Sequence, residues 1–160
     1  MKLISEVVKF VKGLAAAADR WNTDPTTDVV NMKLYDHLAF LVQQNGGTTG
    51  KATLTVLACT DASGTSPTAI PFKYRVGADG AGANGDLMGA ITDATAAGFD
   101  TTPATDRQYI IEVDAAALPA GKNFVYLKCT EAANDPVTGS VAIMLWGARY
   151  AGASLPTAIA

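Results

Sequence analysis

The sequence predicts a mainly β protein: an antiparallel β-sandwich or jelly roll preceded by an N-terminal amphipathic helical arm. Three observations predict it. From residue 29 onward, short runs rich in β-branched and aromatic residues are bounded by Gly, Pro, Asn and Asp. Those runs follow one another without intervening helical patterns, which favours a sandwich or jelly roll over a βαβ arrangement. Ahead of them, apolar residues recur at helical spacing.

That first segment, residues 1–21, carries Leu3, Ile4, Val7, Val8, Val11, Leu14, Ala15 and Ala18 three or four positions apart, with Lys2, Glu6, Lys9 and Lys12 set elsewhere. The spacing predicts an amphipathic arm. Residues 22–28, with Asn22, Thr23, Asp24, Pro25, Thr26, Thr27 and Asp28, read as a polar linker that stops the helix. The β domain spans 29–160. Its strands are expected at 29–32, 37–44, 51–60, 70–76, 108–114, 124–130 and 140–150, with a turn at Asn45-Gly46-Gly47. In the third run Ala52, Leu54, Val56 and Ala58 alternate with Thr53, Thr55, Leu57 and Cys59, the pattern of a half-buried strand. Residues 77–106 hold few large apolar side chains, chiefly Leu87, Met88, Ile91 and Phe99, and read as a long surface loop.

Charge and composition exclude several classes of function. A net charge of −3 with no Lys/Arg cluster removes the electrostatic footprint of a nucleic-acid binder. No window of 18 uncharged apolar residues exists, so no spanning helix is expected. Glu6, Lys9 and Lys12 interrupt what would otherwise resemble a secretory leader, so the chain is expected to stay in the cytoplasm of its producing cell. Charged residues make up 17% of the chain, below the usual quarter, which favours a life in an assembly. Cys59 and Cys129 are too few and too far apart for a zinc site or disulfide framework and are expected to be reduced core side chains.

No constellation assembles a catalytic, cofactor or metal site. Gly80-Ala81-Gly82-Ala83-Asn84-Gly85 matches GxGxxG, but the following Asp86-Leu87-Met88-Gly89 offers no helix N-terminus for a pyrophosphate. Asp79, Asn84 and Asp86 lack the acid spacing of a calcium loop. His37 is the only histidine, and its setting suits a strand-start residue bonded to a backbone or carboxylate group. Glu112 and Asp114 alternate on one face of their strand and read as a solvated face rather than an acid/base pair. For partner contacts the candidates are Phe10, Trp21, Tyr35 and Tyr150, with Trp21 the foremost because it stands where arm meets linker. Trp146 is expected in the core.

The run Val29-Val30-Asn31-Met32-Lys33-Leu34-Tyr35-Asp36-His37-Leu38-Ala39-Phe40-Leu41-Val42 resembles small proteins encoded among the head genes of tailed bacteriophages and prophages. The resemblance continues in Ala52-Thr53-Leu54-Thr55-Val56, Cys59-Thr60-Asp61-Ala62, Tyr109-Ile110-Ile111-Glu112-Val113-Asp114-Ala115, Arg149-Tyr150-Ala151 and Pro156-Thr157-Ala158. It implies a capsid decoration, or cement, protein on the outer surface of the virion, binding the major capsid protein and itself, with a homotrimer favoured. It supplies no catalytic residue and no cofactor. A different class fits the same features: a receptor- or carbohydrate-binding β module of a phage fibre or tail.

Overall fold

The computed structural model describes residues 2–46, 48–79, 86–103, 106–133, 135–149 and 154–159. A single helical turn, α1 (Ile4–Val7), is followed by β1 (Lys9–Ala17), β2 (Val30–Asn31), β3 (Tyr35–Asn45), β4 (Lys51–Cys59), β5 (Thr68–Ala69) and β6 (Phe72–Val76). The chain continues through β7 (Thr92–Ala94), β8 (Phe99–Asp100), β9 (Arg107–Asp114), β10 (Phe124–Ala133) and β11 (Thr138–Ala148). All seven expected strands are present.

The strands form two antiparallel sheets. One has six strands in the order β1-β11-β3-β9-β6-β7, the other runs β2-β10-β4-β5 with β8 also pairing β4. Period-2 alternation decides what each sheet buries. From the first sheet Leu38, Phe40, Val42, Tyr109, Ile111, Val141, Ile143 and Leu145 point inward. Leu54, Val56, Val125, Leu127 and Cys129 do so from the second, and all join one apolar cluster. The two sheets therefore close on a common core.

The N-terminal helical arm is not what forms. Helix is confined to Ile4–Val7, closed by the Glu6 carboxylate accepting from the Leu3 amide at 2.7 Å. Residues 9–17 instead pair with β11 as an edge strand. The physical reason lies in two register shifts. As β11 steps through Ile143, Val141 and Gly139, β1 steps through Val11, Leu14 and Ala17. Each β-bulge adds a residue, so the inward positions of a strand recur every three residues and imitate a helix.

The polar segment 22–28 does not hang free. Cys129 N donates to Pro25 O at 2.9 Å, Thr27 N donates to Leu127 O at 2.9 Å, and Leu127 N donates to Thr27 Oγ1 at 3.0 Å. It completes the free edge of β10 below β2. The 77–106 segment is not a continuous loop either, because β7 and β8 lie within it. Thr53 Oγ1 and Lys51 Nζ both donate to the Asp100 carboxylate, at 2.6 and 2.9 Å, and tie β8 onto β4.

Candidate functional site

Two of the four proposed contact aromatics belong to the core. Trp21 is 2% exposed, wedged so closely against Gly139 that a Cβ there would lie 2.7 Å from its Cζ2. Tyr35 is fully buried and donates its hydroxyl to Pro156 O at 2.5 Å. Large aromatics fill cores as readily as interfaces, and here long-range contacts decide: Trp21 packs on Gly139 of β11 and Tyr35 bonds to the C-terminal segment. Phe10 is 51% exposed on the edge strand, beside exposed Leu3, Ile4 and Val7. Tyr150 and the GxGxxG run Gly80 to Gly85, with Asn84 of the weighed calcium set, lie outside the described residues.

The outer face of the six-stranded sheet holds a cleft of about 480 Å³. Register builds it in two rows. Trp146 stands opposite His37, and His37 opposite Asp114. One pair of residues along, Glu112 stands opposite Lys73, and Lys73 opposite Asp93. Pro71 and Ala117 complete the walls. Trp146 is thus half-buried at the floor of a surface cleft rather than in the core, because its position on β11 has outward parity, the opposite of Leu145.

The polar groups of this cleft are largely held by one another. The Asp114 carboxylate accepts from His37 Nδ1 at 2.5 Å, and the His37 ring stacks on Trp146 with centroids 5.4 Å apart and planes 26° apart. That is the carboxylate-bonded strand histidine expected from the sequence. Lys73 Nζ pairs with Asp93 at 2.5 Å. The Glu112 carboxylate makes no hydrogen bond or ion pair with another described residue. A His–Asp dyad can serve as a general base, yet none of the residues lining the cleft is Ser, Thr or Cys, so no hydroxyl or thiol nucleophile faces it. What the arrangement offers is an aromatic surface beside interleaved hydrogen-bond donors and acceptors. The same-face pairing of Glu112 with Asp114 was legible from alternation; their meeting with His37, Lys73 and Trp146 depends on cross-strand register, which no local pattern encodes.

Among the described residues no group of three or more His, Cys, Asp or Glu side chains is placed to hold a metal ion. Asp79, weighed for calcium, lies 3.6 Å from Arg107 Nη2. Cys59 and Cys129 are both fully buried. They sit on paired strands five positions apart in register, roughly 17 Å along the ladder, too far for a bridge. Burial pushes the Cys129 thiol up to about 12 and also raises that of Cys59, which disfavours the thiolate form of both.

No family model matches this chain, and no curated protein matches it. Among solved structures it is similar to the SPBc2 prophage-derived protein YomS, at 14% identity and a TM-score of 0.45, over 86% of this chain and 91% of that one. It is also similar to a structure of infectious bursal disease virus, Gx strain, at 10% identity and a TM-score of 0.24, over 87% of this chain and 42% of that chain.

Proposed function

We propose that this chain is a structural virion protein, a decoration protein that binds the outer surface of a tailed-phage head and bridges major capsid subunits as a trimer of jelly-roll-like domains. The observation that carries this reading is the clustering of exposed apolar side chains at one place. Leu3, Ile4, Val7 and Phe10 are 62%, 65%, 41% and 51% exposed, and all fall within ten residues at the N-terminal edge of the six-stranded sheet. An isolated exposed leucine needs no explanation, but four exposed apolar side chains within eight residues, in the turn leading into an edge strand and on that strand, favour a contact surface. The low overall charge and the sequence resemblance to phage head proteins point the same way. Weak contacts of this size become strong when a symmetric shell repeats them. The reading includes no catalytic role.

Undecorated phage heads mixed with the purified chain test it. The chain should co-sediment with the heads, and a double substitution, Ile4→Ser with Phe10→Ser, should leave the fold intact while abolishing co-sedimentation. Undiminished binding by that variant would remove the N-terminal patch from the interface.

A further inference from the structure

We propose that the cleft on the outer face of the six-stranded sheet is a saccharide-binding site that takes a neutral sugar ring against Trp146. This goes beyond the virion role and does not depend on it.

The cleft has the size of a small-molecule site, about 480 Å³. One end is aromatic: the half-buried Trp146 indole and the His37 ring stacked on it, which Asp114 in turn holds in orientation. An indole face of this kind packs against the C–H face of a pyranose, which is apolar and flat. The neighbouring row supplies what the hydroxyls of such a ring require. Glu112 is an acceptor with no partner among the described residues, and Lys73, standing opposite it in register, is a donor. Each sugar hydroxyl both donates and accepts, so a carboxylate and an ammonium side by side satisfy a vicinal pair.

The hydrogen-bonding pattern argues for a neutral ligand. Asp114 is hydrogen-bonded to His37 and Asp93 is ion-paired with Lys73, leaving the Glu112 carboxylate without a partner among the described residues. A metal ion or polyamine calls for converging unpaired acids, and an anion would meet Glu112. A polyhydroxyl ring uses the donors and acceptors together.

The chain contains a built-in reporter. Of its two tryptophans, Trp21 is 2% exposed and Trp146 faces the cleft, so acrylamide quenching of the full chain reads Trp146 against a silent background. Maltotriose and triacetylchitotriose, each titrated into the millimolar range, are the probes, with tetramethylammonium as the cationic comparison. At least one of the two sugars should protect Trp146 from quenching. Glu112→Gln and Lys73→Met, both on the solvent side of the sheet, should each weaken that protection about tenfold, the loss of one charged hydrogen bond, without changing the thermal melt. Quenching unchanged by both sugars would overturn the proposal. So would protection that survives both substitutions, or protection by tetramethylammonium alone.

Discussion

Gly139 and Trp21 show how one side chain fixes the join between the two ends of the chain. A methyl group on Gly139 would meet the six-membered ring of Trp21 at 2.7 and 3.0 Å, with both partners held in packed surroundings. Gly139→Ala should therefore cost about 1–3 kcal/mol in urea unfolding, and the double variant with Trp21→Phe, which removes the obstructing ring, should recover part of it. The Asp135 carboxylate acts across a different join. It accepts from Thr48 N at 2.7 Å, Thr49 N at 2.9 Å and Gly50 N at 3.2 Å, binding the turn after β3 to the turn before β11. Those bonds, that of Thr49 foremost, stabilise the carboxylate and hold its pKa below the ordinary aspartate range. A depressed folded value means the stabilisation is complete above the unfolded value and is lost as pH falls through the folded one. Stability should accordingly drop on acidification below the usual aspartate range, and Asp135→Asn should be less stable near neutrality with a flatter acid limb, as read by chemical denaturation across pH. Of this residue-level detail the sequence revealed little: a His bonded to a carboxylate was legible, whereas the burial of Trp21 and Tyr35 follows from long-range contacts.

At the scale of elements, the strands were legible where alternation and turn residues agreed, as from Ala52 to Ala58. They were illegible where bulges broke the alternation. In β1 the inward residues Val11, Leu14 and Ala17 have helical spacing, and Ala15, Ala16 and Ala17 have high helix propensity, yet the segment is a strand. What decides is tertiary: as a strand it satisfies the outer edge of β11 and covers Ile143 with Val11. Deletion of residues 1–17 should then expose a new sheet edge, lowering the melting temperature and promoting aggregation in thermal scans and size exclusion. Far-UV circular dichroism of the full chain should be dominated by strand. Short β7 and β8 were hidden for another reason. With 3 and 2 residues, they carry too few side chains to show a period, and β8 depends on Asp100 reaching Thr53 and Lys51. Held by those groups, with Thr53 the larger influence, the Asp100 carboxyl also has its pKa lowered.

At the scale of the whole molecule, two sheets around one core present, among the described residues, an exposed apolar N-terminal edge and a cleft near Trp146. The general class, a mainly β chain with antiparallel sheets, was legible because it depends on composition and period alone. The cleft was not, since it exists only after five strands are laid side by side in register. The proposed decoration of a phage head through the N-terminal edge is tested most directly by counting copies of this chain per purified phage particle with quantitative mass spectrometry. Decoration predicts a copy number approaching that of the capsomers or of the junctions between them; a handful of copies per particle, as for a fibre or tail module, would contradict it.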